Sequence, residues 1–328
     1  MPTIHRVLKL ALSAVLFAAG VQPAFAADDA NWRPDRVVRL ISPSPPGGGT
    51  DAVSRAVATK LGELTKWQVI VENKPGSGNN IGLEIGAKSP GDGHVMVMGE
   101  SSNLAINPYL YKRLSFDPVK DLAPVALVGT GALVLVVRAE SKVDSLASLV
   151  AESKNRQLTY ASSGNGTVGH LTSESVRTLT GANFLHVPYK GAGPAMQDML
   201  GGQVDFYFSS LTAALPLIQA QKLKALAVTS GERIKALPGV PTLVELGHRG
   251  AEFYVFYGVV VPASTPKPVI AVLNREINRA LTSADVSANL YERGIDVKTG
   301  DAGFFQSFLD GERRKWAATV KASGATVD

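Results

Sequence analysis

The sequence predicts an α/β fold built as two lobes. Short β-rich apolar runs alternate with segments whose apolar residues recur at helical spacing. Glycine- and serine-rich loops stand between a strand and a helix in two distant places. Two apolar segments, 133–137 and 254–261, bracket the middle of the chain. The first lobe is therefore read as residues 27–137 plus 259–328, with the second, 138–258, inserted between them. A single lobe stays open as the alternative, because periodicity alone does not fix topology.

The elements follow in order. Residues 37–42 form an apolar strand, and Pro43-Ser44-Pro45-Pro46-Gly47-Gly48-Gly49 a punctuated loop. Thr50 and Asp51 open a helix with Val53, Ala56, Val57 and Leu61 on one face. Strands at 68–72 and 94–98 flank a helix at 81–88. The all-apolar run 133–137 reads as a buried strand. Helices at 145–152, from Thr167 to 179, at 193–200 and up to about 221 alternate with strands at 158–161, 184–187, 204–208 and 225–229. After the strand 254–261, Pro266 and Pro268 start a helix that runs to 281. An amphipathic helix at 304–316 lies near the end.

Residues 1–26 stand apart. His5, Arg6 and Lys9 precede an apolar run, and Ala24-Phe25-Ala26 gives a small-x-small cleavage pattern. This reads as a secretory signal peptide, expected to be cut after Ala26, with an N-terminal membrane anchor as the alternative. The apolar run is short for a membrane anchor. The whole chain of 328 residues carries 33 Lys+Arg against 28 Asp+Glu, a net +5. Cleavage removes Arg6 and Lys9 and no acid, leaving 31 against 28. That balance, without a basic tract, gives no nucleic-acid partner. The absence of cysteine excludes thiol catalysis and Cys-ligated metals.

Two loops carry the functional signal. In Gly47-Gly48-Gly49-Thr50-Asp51, residues without Cβ atoms let the backbone curl toward a helix N-terminus. The unpaired N–H groups of a first turn and its partial positive charge suit an anion such as a carboxylate. A plain strand-to-helix turn is the bland alternative. Ser162-Ser163-Gly164-Asn165-Gly166-Thr167 offers a second such terminus, with hydroxyls. Its glycine spacing resembles a dinucleotide fingerprint, but no acid ends the following strand to hold a ribose. Two termini facing one cleft would clamp a small dicarboxylate, or a carboxylate with a second polar end. His170, one turn into the second helix, Lys190, and the serines Ser209 and Ser210 beyond a strand end are further candidate contacts, as is Ser101. His94, His186 and His248 read as structural, and no histidines pair at metal-ligand spacing. Hydrolase, zincin and P-loop motifs are absent. An enzyme would have to use Ser163 with His170, and the expectation is no enzyme, cofactor or metal.

An ordered set of short motifs resembles the periplasmic solute receptors of the tripartite tricarboxylate transporter family, the Bug-type receptors. The motifs include residues 43–51, Val71-Glu72-Asn73-Lys74-Pro75-Gly76, Pro90-Gly91-Asp92-Gly93, Ile106-Asn107-Pro108, residues 160–166, Val187-Pro188-Tyr189-Lys190-Gly191, Gly201-Gly202-Gln203-Val204-Asp205 and Leu237-Pro238-Gly239-Val240-Pro241-Thr242. The resemblance implies a two-lobed periplasmic binding protein fold that closes on its ligand. It implies a small organic carboxylate held between the loops 44–51 and 162–167, largely through backbone groups and waters. The implied partners are a small and a large membrane permease subunit; the chain is expected to be a periplasmic monomer. A receptor that reports occupancy to a membrane sensor is the alternative role. Ser44, Leu104 and Ser209 depart from residues common in the family (Phe, His and Asp). The last departure argues against an amino-acid ligand.

Overall fold

The computed structural model describes residues 32–249, 252–323 and 327. The expected signal peptide and its expected cleavage point after Ala26 lie outside the described residues.

The chain begins with β1 (Val38–Ser42), which pairs in parallel with β2 (Val69–Asn73) on one side and β3 (Val95–Glu100) on the other. Helices α1 (Gly49–Thr65) and α2 (Asn80–Ala87) make the crossovers. All six residues of β3 are buried. A π-helical turn, Ser102–Ile106, leads into the short α3 (Asn107–Leu110). The 17-residue β4 (Leu122–Arg138) follows. Only its second half was expected. Pro124, Gly129 and Gly131 interrupt the β-rich pattern of the first half, and pairing with distant strands overrides that weak local signal.

The second lobe alternates α4 (Leu146–Asn155), β5 (Leu158–Ser162), α5 (Val168–Thr180), β6 (Phe184–Pro188), α6 (Ala192–Gly201), β7 (Phe206–Ser210), α7 (Leu211–Gln219) and β8 (Leu223–Val228). The return to the first lobe is β9 (Tyr254–Pro262), then α8 (Lys267–Leu281), α9 (Ala284–Glu292), β10 (Ile295–Val297) and α10 (Ala302–Ser323). The sequence reading lacked α9 and β10. Both are short, and β10 is placed by its pairing with Gly129–Gly131 of β4 rather than by pattern.

Strand β4 joins the two sheets. Its residues Leu122–Ala132 pair antiparallel with β9, and β9 pairs with β3. From Leu133 onward β4 has β7 on one side and β8 on the other. The residues Leu133–Val137, read from sequence into the first lobe, thus hydrogen-bond within the second sheet. Tyr254–Gly258, read into the second, hydrogen-bond with β3 and β4 of the first. One apolar cluster crosses this junction, from Ile41 and Val97 through Leu133 and Phe256 to Tyr160 and Phe206. Helix α10 covers it, with Phe305 edge-on to Phe256 and Trp316 stacked on Phe253, centroids 5.2 Å apart. The N-terminal ends of α1, α5 and α6 are left pointing at the gap between the sheets.

Candidate functional site

The first loop is braced from behind. Asp51 is 4% exposed and accepts hydrogen bonds from the Gly47 N–H (3.0 Å), Arg55 Nε (3.1 Å) and Asn73 Nδ2 (2.8 Å). Asn73 also donates to the Ser44 carbonyl, 2.9 Å. Burial alone would push the Asp51 carboxyl up, but the bonds from Arg55, Asn73 and Gly47 outweigh it and hold it below the ordinary range. Asp51 therefore shapes the loop and does not line the cavity. Asp51→Ala is expected to cost about 1–3 kcal/mol of stability by stranding buried donors. It should also weaken ligand affinity as Gly47–Gly49 loosens. Calorimetry beside urea melts checks both; an unchanged affinity would show that the brace is irrelevant to the site.

The second loop is held by its own polar atoms and a histidine pair. Ser162 Oγ donates to the Gly164 carbonyl (3.0 Å), as does Thr167 Oγ1 (2.8 Å). Thr167 caps α5 by accepting from the His170 N–H, 3.5 Å. His170 Nδ1 accepts from the Gly166 N–H at 3.2 Å, which fixes the neutral ring with its proton on Nε2. The His170 ring stacks on His186, centroids 4.1 Å apart, and His186 Nε2 lies 2.6 Å from Ser162 Oγ. Burial pushes His170 down to about 4 and His186 down to about 3, the second further depressed by the first.

Between the lobes these loops enclose a cavity of about 50 Å³. That holds roughly four water-sized groups, at about 10–15 Å³ each. Of the residues singled out from sequence, Ser44, Gly48, Gly49, Thr50, Ser163, Thr167 and Ser210 line it. Gly164, Asn165 and Lys190 line an adjoining cavity of about 200 Å³ that shares Ser163 and Asn79 with the first. Pro46, Gly47, Asp51, Ser101, Ser162, Gly166, His170 and Ser209 line neither. Ser101 Oγ instead accepts from the Phe256 N–H (2.8 Å), and Ser209 Oγ donates to the Ser210 carbonyl (3.2 Å).

The structure adds residues that sequence reasoning missed. Gly191 and Ala192 bring the N-terminus of α6 to the cavity beside those of α1 and α5. Tyr207 and Tyr257, both 2% exposed, come from β7 and β9. Burial pushes the Tyr207 hydroxyl up to about 12 and raises Tyr257 too, so both stay protonated and able to donate. Asn79, Glu100 and Ser102 complete the first-lobe wall. Among the described residues no lysine, arginine or histidine lines this cavity. Positive potential comes from three helix ends, and hydrogen-bond donors come from hydroxyls and backbone.

A two-lobed α/β chain with helix N-termini converging on an interlobe cavity is a solute-binding protein fold. The comparisons agree. Residues 53–325 match the profile of the tripartite tricarboxylate transporter family receptor, and the chain belongs to that family. It is 35% identical to the protein BugT of Bordetella pertussis over 312 residues, 94% of this chain and 95% of that one. The structure superposes on that of Rpa4515 from R. palustris with adipate at a TM-score of 0.86 and 31% identity, covering 89% and 99% of the two chains. For MatC from Rhodopseudomonas palustris with bound malate the values are 0.83 and 28%, over 88% and 100%. Among the described residues no helix is long and apolar enough to cross a membrane.

Proposed function

We propose that this chain is a monomeric periplasmic receptor that captures a small organic carboxylate between its lobes for the small and large permease subunits of a tripartite transporter. The observation that carries this reading is the convergence of three helix N-termini, α1, α5 and α6, on one enclosed cavity lined by hydroxyl donors. Carboxylates in two similar structures, adipate and malate, support the ligand class. The change of partners along β4 supports chain crossings at Ala132/Leu133 and just before Tyr254. A hydrolytic reading draws no support from the placement of its residues. The serine beside a histidine is Ser162, fully buried and outside the cavity, and not Ser163.

A thermal-shift screen of organic acids on the mature chain tests the reading. A ligand at 100 times its Kd stabilises the fold by about 2.7 kcal/mol, a readily measured shift. The amide or ester of the best acid should bind at least roughly tenfold more weakly, having lost charge-assisted hydrogen bonds. Equal affinity across acid, ester and amide would rule out an anion clamp.

A further inference from the structure

We infer that the cavity between α7 and the end of α9 is a second small-molecule site, apart from the cleft, for an apolar monoanion such as an aromatic sulfonate or carboxylate. Its volume of about 590 Å³ falls in the range of small-molecule sites, against about 50 Å³ for the cleft cavity. The two cavities share no lining residue. The new site is built by both lobes. The second lobe contributes Leu215 and Pro216 from α7, and Ile234 and Lys235 from the segment after β8. The first lobe contributes Tyr291 and Arg293. The walls touch directly. Thr212 Oγ1 donates to the Arg293 carbonyl at 3.1 Å, and a Cβ on Gly294 would lie 2.1 Å from Leu211 Cδ2.

The charges decide the kind of guest. Among the described residues Lys235, Glu292, Arg293 and Asp296 are the charged side chains lining the cavity. Asp296 is already paired with Lys298, 2.5 Å away. The Lys235 ammonium lies 5.8 Å from the centroid of the Tyr291 ring, across the lobes, and Arg293 Nε donates to Asn289 Oδ1 at 3.0 Å. Among the described residues neither cation has a carboxylate partner, and Glu292 has no cation. Two cations against one acid leave the cavity at +1, which a single negative charge answers. A cationic guest would meet the lysine already over the aromatic face. The body of the guest faces Leu215, Pro216, Ile234 and the ring of Tyr291, which is 52% exposed and open to stacking. An occupant that touches both walls favours the lobe arrangement that brings them together. Helix α7 starts one residue after Ser210 of the cleft cavity, and β10 pairs with Gly129–Gly131 just before β4 changes sheets. The site therefore bears on the elements beside the chain crossing.

Fluorescence titration of the mature protein with 8-anilinonaphthalene-1-sulfonate tests this, since the probe is an aromatic monoanion too bulky for the cleft cavity. It should bind at one site. The neutral N-phenyl-1-naphthylamine, which lacks the sulfonate, should bind roughly tenfold or more weakly. Lys235→Gln on one lobe should weaken the sulfonate roughly three- to tenfold, and Tyr291→Ala on the other roughly tenfold. Glu292→Gln should tighten it. All three side chains are exposed, so the variants should fold, and melting curves check this. The comparison of the two probes uses the wild type and stands whatever the variants do. No binding, or equal affinity for the neutral probe, overturns the anion site. Binding unchanged in a folded Lys235→Gln or Tyr291→Ala shows the dye adsorbed elsewhere and overturns a site held by both lobes. Carboxylate capture in the cleft is untouched by either result.

Discussion

Gly191→Ala should weaken ligand capture by roughly ten- to a hundredfold while leaving a folded protein. Gly191 caps α6 at φ 126°, a conformation that L side chains rarely adopt, and a Cβ there would lie 2.4 Å from both Cγ and Cδ of Pro45. Pro45 sits on the first-lobe loop, so the overlap falls between lobes. Opening the cleft relieves it. The backbone strain acts in both open and closed forms and should lower stability by about 1–3 kcal/mol. The overlap acts only on the closed form, by about another 1–3 kcal/mol. Apparent affinity scales with the closed fraction, which gives the expected loss. Gly49→Ala separates the two effects. Gly49 lies in the helical first turn of α1, where alanine is unstrained. Its Cβ would meet Ser210 Oγ, on the second lobe, at 2.9 Å and Tyr257 Oη, from β9 of the first sheet, at 3.1 Å. It should lose affinity with little change in melting. Calorimetry, melting curves and the radius of gyration by solution scattering test both variants. Full affinity in either folded variant would show that these glycines do not set the fit of the closed lobes.

Stability should fall steeply as the medium is acidified, and the histidine pair should be a main cause. In the unfolded chain a histidine titrates near pH 6.5. In the fold, burial holds His170 down to about 4 and His186 down to about 3. Between those values and about 6.5 the unfolded state binds more protons than the folded one, so stability rises with pH. The full stability is present above about pH 6.5 and is lost on going below it. Each pH unit costs about 1.4 kcal/mol for a fully shifted histidine. His170 should thus account for about 2–3 kcal/mol by pH 4.5, and the more exposed His186 for less. A proton on His170 Nδ1 would also face the Gly166 N–H, donor against donor. The loop 162–167 should then loosen before the protein unfolds, and affinity should drop with it. Urea melts from pH 7.5 to 4.5, for the wild type and for His170→Gln, measure this. A wild type that is equally stable at both ends would overturn the neutral pair.

The fold and the cleft's location were legible because local chemistry wrote them. Thr50 and Thr167 at helix starts, and the glycines and serines before them, are signals confined to a few neighbouring residues. Both loops do meet at the cavity. What stayed hidden depends on contacts between distant residues. Tyr257 and Glu100 are register partners on β9 and β3, 157 positions apart in number but adjacent in the sheet. Each looks in sequence like an ordinary strand residue. Asp51 read as a ligand contact because it follows glycines, whereas Asn73 and Arg55 turn it inward. His170 was singled out for its place after the loop, but its role needed His186, on the next strand, to be seen.

The strand partnership of β3, β9 and β4 also sets the order in which the molecule can come together. The inner edge of β3 waits for residues that arrive some 157 positions later, since Glu100 pairs with Tyr257. Until β9 is available, the first sheet has a buried strand with one open edge and cannot close its core. Long-range pairing of this kind carries a large loop-closure cost and slows folding. The inserted lobe, whose strands β5, β6 and β7 are near neighbours in sequence, can assemble ahead of it. The lobe at the beginning of the chain is thus the last to be finished, and a nascent chain stays pliable until more than three-quarters of it has emerged.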